Sequence, residues 1–148
     1  MAAPSAHTSR VESLPGNGAR IFLDNVLVDT ITYAADGAAH HDFGGGKTAL
    51  DKVPVPKGGI HTEAIPVCQI HPADQGTVDA YNRSVTAYNQ ATLTLYIALG
   101  VAAATTVITS GLAFAVLAAS SMGAVYAWET ARTDMYAARA ENAPYYVC

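Results

Sequence analysis

Hydrophobic and polar positions are segregated along this chain rather than interleaved. From Leu93 to Trp128 nearly every residue is apolar or small, and no charge stands between Arg83 and Glu129, a gap of about 45 residues. A helix at a protein surface needs a polar face, so an apolar, charge-free run predicts helix surrounded by lipid. One continuous helix over 93–128 would be about 54 Å long, against a hydrocarbon layer of about 30 Å. Two passes, over 82–106 and 112–132, fit with a turn near 109–111. There Thr105, Thr106, Thr109, Ser110 and Gly111 form the most polar patch of the run. Tyr96 and Tyr126, and Arg83 and Arg139, are symmetric about that patch, as the ends of a membrane hairpin would be. Against the hairpin, Thr and Ser are tolerated inside membrane helices because they bond back to their own backbone. The pattern predicts a mainly α membrane protein with either one long or two hairpin-paired transmembrane helices.

Before this run the periodicity is different. Tyr81, Val85 and Tyr88, spaced by four and three, mark an amphipathic helix starting beyond Pro72 and running into the apolar segment. Ile21, Phe22 and Leu23, then Val26, Leu27 and Val28, flank Asp24-Asn25. The β-branched bias continues to Tyr33, predicting a short β-hairpin over 20–34. Residues 34–67, with a triple glycine at 44–46, Pro54, Pro56 and Gly58-Gly59, carry no period and read as loop. The division expected is an extended, largely irregular arm over 1–72, a membrane helical region over 73–142 that stops at Asn142-Ala143-Pro144, and a short tail over 143–148.

Charge and composition narrow the partners. The net charge of −4 and the lack of a Lys/Arg stripe argue against nucleic acid. Two cysteines, Cys68 and Cys148, are too few for a disulfide framework. The opening residues lack the apolar core of a secretory signal. Within the run, Gly111, Ala115, Ala119, Gly123, Ala127 and Ala131 recur every four residues, a row of small side chains on which a second helix could approach closely.

Candidate chemistry is sparse. His61, Cys68 and His71 form the best metal-like cluster, with a C-x-x-H spacing at its end. A closed zinc site needs four ligands, and the cluster is a weak candidate. GGGKTAL (44–50) has the wrong glycine spacing for a phosphate loop, and Asn82-Arg83-Ser84 matches a glycosylation acceptor only formally. No catalytic constellation, cofactor motif or small-molecule substrate emerges.

In layout alone, with no motif to carry it, the chain resembles the supernumerary subunits of organellar energy-converting complexes. That layout implies a non-catalytic accessory subunit, placed among other membrane-protein subunits and lipid, in the mitochondrial inner membrane rather than the thylakoid. The alternatives are a self-assembling hairpin protein, pilin-like or pore-forming, and a metal-binding membrane protein.

Overall fold

Five strands take up most of the first fifty residues. In the computed structural model, which describes residues 8–34, 38–52, 69–71, 75–110, 122–142 and 145–147, they are β1 (Ser9–Ser13), β2 (Ala19–Leu23), β3 (Val26–Tyr33), β4 (Ala39–Gly44) and β5 (Lys47–Asp51). They form one antiparallel meander in the order β1-β2-β3-β4-β5. A separate two-stranded ladder pairs β6 (Gln69–His71) with β7 (Tyr145–Val147). The helices are α1 (Gln75–Leu99), α2 (Val101–Ser110) and α3 (Met122–Asn142).

Two tight turns set the sheet register. Leu23 pairs with Val26 across Asp24-Asn25, whose φ angles are +52° and +64°. Gly44 pairs with Lys47 across Gly45-Gly46, at +60° and +79°. A two-residue loop with both φ angles positive matches the right-handed twist of its strands, and Asp, Asn and Gly are the residues that tolerate it. The triple glycine read as loop is therefore the turn of a hairpin, and residues 39–51 belong to a sheet.

One face of the sheet is buried at alternate positions: Ala19, Ile21 and Leu23, then Ile31, then Ala39 and His41, then Ala49 and Asp51. The other face is mostly polar, with Thr30, Asp42 and Thr48 opposite one another, as expected of an antiparallel sheet packed on one side only. A bulge between Ile21 and Phe22 shifts the β2–β3 register and brings both Val28 and Asp29 under cover.

The helices cover the inner face. Small alanines at 19, 39 and 49 leave room for large side chains, and Tyr88, Tyr96, Trp128 and Tyr136 are the largest of those fully buried. Leu93, Leu95, Ala104, Val107, Ile108 and Val125 complete one continuous core with Ile21 and Ile31. Each large apolar side chain so buried contributes about 1.5–3 kcal/mol. A 3-10 turn over Pro15–Asn17 is tied to α1 by Asn17 Nδ2 donating to Asn82 Oδ1 at 2.8 Å.

This arrangement overturns the membrane reading of the apolar run. Gly100, at φ +81°, ends α1, and its N–H donates to Tyr96 O at 2.9 Å while its carbonyl accepts from Ala104 N–H, restarting the chain as α2. The break falls at residue 100, and the turn expected near 109–111 is not within the described part of the run: residues 105–110 are helical, and 111–121 lie outside the described residues. Thr105, Thr106 and Thr109 bond back to their own helix carbonyls. α2 has 10 residues, about 15 Å of rise and half a bilayer core. α3 carries Glu129, Arg132, Asp134, Arg139 and Glu141. Among the described residues no helix is long and apolar enough to cross a membrane. The expected transmembrane helix or hairpin is therefore corrected to α helices packed on an antiparallel sheet. The integral-membrane location, in mitochondrion or thylakoid, falls with it. The physical reason is that, among the described residues of the run, Leu93, Leu95, Tyr96, Ala104, Val107, Ile108, Val125 and Trp128 are buried in one core with the inner face of a sheet, where the polar pattern predicts an arm.

Gly100 also yields a direct test. A Cβ placed there meets nothing within 4 Å, so Gly100→Ala carries only the left-handed backbone penalty of about 1–2 kcal/mol. The expected result is a loss of that size in urea unfolding. A gain in stability would mean that α1 and α2 run on as one straight helix.

Candidate functional site

The titratable side chains gather inside, on one diagonal of the sheet. Ile31 pairs with His41 and His41 with Ala49, so Asp29 and Asp51, each two residues along from those partners, lie diagonally on either side of His41. Diagonal neighbours on one sheet face are within reach of long and aromatic side chains. Asp29 Oδ2 is 2.6 Å from His41 Nδ1. Tyr88 of α1 enters between the strands, its hydroxyl 2.9 Å from His41 Nε2 and donating to Asp51 Oδ2 at 2.8 Å. On the far side Arg132 Nε of α3 donates to Asp51 Oδ1 at 2.5 Å. Tyr96 donates to Asp29 Oδ2 at 3.1 Å. The Tyr136 hydroxyl donates to the Asp51 carbonyl and accepts from Ala39 N–H.

Proton counting restricts the state of this row. The single hydroxyl proton of Tyr88 goes to Asp51, so His41 must donate to Tyr88 from Nε2. The short Nδ1–Asp29 contact then needs a proton of its own. Whether it sits on nitrogen or on the carboxyl, the pair holds one proton more than a neutral imidazole beside an ionised aspartate. With Asp51 and Arg132 paired at the other end, the whole row is electrically neutral. A neutral, hydrogen-bonded row is the form in which charged groups survive burial. Asp29 Oδ1 alone has no hydrogen-bond partner among the described residues.

Electrostatics follow from this burial. Burial raises the pKa of Tyr88, Tyr96 and Tyr33 above the ordinary phenol value, and the neighbouring Asp29 and Asp51 carboxylates add to it. Burial also raises Glu129, against the pull of Arg132. For Arg132, burial works to discharge the guanidinium, but Asp51 and its hydrogen bond outweigh that and raise its pKa.

A folded-state phenol pKa above the unfolded value stabilises the protein fully below about pH 10, and that contribution is lost as pH rises further, because the unfolded chain releases protons that the native state keeps. Each such tyrosine contributes a slope of about 1.4 kcal/mol per pH unit. Three give a loss of about 4 kcal/mol per unit above about pH 10. Urea unfolding near pH 9 and near pH 11 measures it. Phenolate absorbance should show part of the eight tyrosines titrating only as the protein unfolds. Gradual titration of all eight in the folded protein would contradict the buried assignment.

The surface offers a second feature, a groove of about 570 Å³ between α1 and α3. Arg83, Ser84 and Ala87 form one wall, and Tyr126, Ala127, Thr130, Ala131 and Asp134 the other. Tyr126 is 68% exposed. Of the small-residue row, Gly111, Ala115 and Ala119 lie outside the described residues. Gly123 and Ala127 face outward, Ala131 is half-buried, and a Cβ on Gly123 would meet nothing within 4 Å. Of the described part of the row, Ala127 and Ala131 thus line the groove beside α1 and Gly123 is open to solvent, while α3 packs inward through Val125, Trp128, Met135 and Tyr136.

The metal-like cluster falls largely outside the described residues. His61 and Cys68 lie outside the described residues, and His71 ends β6. Among the described residues no group of three or more His, Cys, Asp or Glu is placed to hold a metal ion.

Asp29, His41, Asp51, Tyr88 and Arg132 were not singled out from sequence as a set. They are separated by 12, 10, 37 and 44 positions, with no motif spacing. The signal that could have found them is parity: each aspartate and the histidine shares the inward phase of its strand, which is readable only once the strands are assigned. The chain matches no protein-family model, and neither a curated protein nor a solved structure matches it.

Proposed function

We propose that this chain is a non-catalytic subunit of a larger protein assembly, which docks a helix of a different protein along the α1–α3 groove. The observation that carries the reading is the outer face of α3. Among the described side chains its exposed positions are Met122, Gly123, Tyr126, Ala127, Thr130, Thr133 and Asp134, with a charge only at the last. A solvent-facing helix surface carries polar or charged residues, whereas Met122, Gly123, Tyr126 and Ala127 put a contiguous apolar and small stretch at the start of this one. Uncharged small residues at four-residue spacing suit close contact with another helix, and an exposed tyrosine supplies the amphipathic anchor common at interfaces. Arg83 and Asp134 put opposite charges on the two walls, which suits a partner helix carrying one acid and one base rather than a uniformly charged one. The sealed row supports the same reading, since its reactive groups are committed to one another and serve to lock the helices to the sheet.

The test is the native mass of the tagged chain with and without Ala127→Arg. Ala127 is exposed, so the variant should keep its melting temperature. The reading expects a complex of fixed stoichiometry with a different protein, released by the substitution. A chain that runs as a monomer, or as a homo-oligomer, overturns it.

A further inference from the structure

A second cavity, of about 390 Å³, lies between the β4–β5 turn and α2, within the range of small-molecule sites, roughly 300–1,000 Å³. Phe43, Lys47 and Thr48 face it from the hairpin, and Thr105, Thr106 and Thr109 from the helix. We propose that it binds a small polyhydroxylated acid, a sugar acid or sugar phosphate, and the functional-group inventory dictates that class.

The helix wall accepts. Thr105 and Thr106 donate their hydroxyl protons to Ala102 O at 2.8 and 3.0 Å, and Thr109 donates to Thr105 O at 2.5 Å and to Thr106 O at 3.1 Å. A hydroxyl has one proton and two lone pairs, so each of the three presents acceptor capacity and requires a ligand that donates. Several hydroxyls at short spacing meet that requirement. A ligand ammonium would also donate, but Lys47 opposes it. Lys47 makes no ion pair among the described residues, and its ammonium on the opposite wall calls for an acid group.

Phe43 provides the third element. Its ring stacks on buried His41, centroids 5.9 Å apart and 16° from parallel. It is fixed from behind, so the apolar floor needs no ordering on binding, which lowers the cost of association. The C–H face of a sugar ring or chain is the part of such a ligand that fits an aromatic floor. Gly46 on the rim has no side chain to close the entrance.

Titration calorimetry of the intact protein with gluconate, glucose 6-phosphate, glucose and inorganic phosphate tests this. Gluconate or glucose 6-phosphate should bind at least about tenfold more tightly than either glucose or phosphate, since each lacks one of the two recognition elements. Lys47→Gln should weaken the acid at least about tenfold and leave glucose unchanged. Thr106→Val/Thr109→Val should weaken the sugar acids while leaving phosphate unchanged. Both sites are exposed, and an unchanged melting temperature confirms that the variants are folded. Phosphate binding as tightly as the sugar acids, indifference of their binding to Lys47→Gln, or no binding of either acid would each overturn the proposal. None of these outcomes bears on the α1–α3 groove.

Discussion

Arg132→Ala is expected to destabilise the protein by about 3–5 kcal/mol, the cost of leaving one member of a buried ion pair without its counter-charge. Asp51 is buried to within 2% and holds Arg132 Nε at 2.5 Å. Tyr88 alone would remain to neutralise it, and a single neutral donor does not replace a guanidinium. The remedy follows from the same argument. Asp51→Asn added to Arg132→Ala removes the stranded charge yet keeps an oxygen for the Tyr88 hydroxyl, so the double variant should be more stable than Arg132→Ala alone. Urea unfolding of the three proteins decides it. A loss under 1 kcal/mol for Arg132→Ala would place the pair at the surface, where such contacts contribute about 0–1 kcal/mol.

The second large effect lies at the other end of the row. His41→Leu fills similar space but strands Asp29, whose side chain is 0% exposed and would retain only the Tyr96 hydroxyl. The expected loss is again about 3–5 kcal/mol. Asp29→Asn in the His41→Leu background takes away the buried charge and should recover most of that loss. If Asp29→Asn makes the His41→Leu protein worse, Asp29 is not an uncompensated carboxylate there, and a stranded charge is not the source of the loss. The two losses should not add fully in a His41→Leu/Arg132→Ala protein, because Tyr88 bridges the ends and couples them.

How far the sequence discloses this architecture differs from element to element. The β2–β3 hairpin is legible because Ile, Phe, Val and Leu flank an Asp-Asn pair suited to positive φ. The inward face of α1 is legible because Tyr81, Val85 and Tyr88 keep helical spacing, and Val85 and Tyr88 are buried. β4 and β5 are not legible by hydrophobic pattern, since their inward residues are Ala39, His41, Ala49 and Asp51. Their burial is stabilised by hydrogen bonds to helices far away in the chain, and pattern reading sees only apolar side chains. β1 is short and polar outside, Ser9–Ser13, as suits an edge strand.

The membrane expectation failed for a related reason. A gap in charge is not a gap in polarity. The exposed positions of α1 include Asn82, Thr86, Gln90 and Thr94, neutral but well hydrated. Gly100 sits in open space with positive φ, and nothing in its apolar neighbours signals the break. The candidate site was hidden more deeply still, because its members share only the inward phase of three strands and of two helices.

Amide hydrogen exchange resolved to single residues tests the account most directly, because it separates a folded β4–β5 hairpin from an irregular arm. The ladder amides of Ala39–Gly44 and Lys47–Asp51 should open with the same free energy as the core of α1 around Tyr88, and Arg132→Ala should lower both together. Exchange of β4 and β5 at unprotected rates while α1 stays protected would contradict the account, since the diagonal row would then not be what joins sheet to helices.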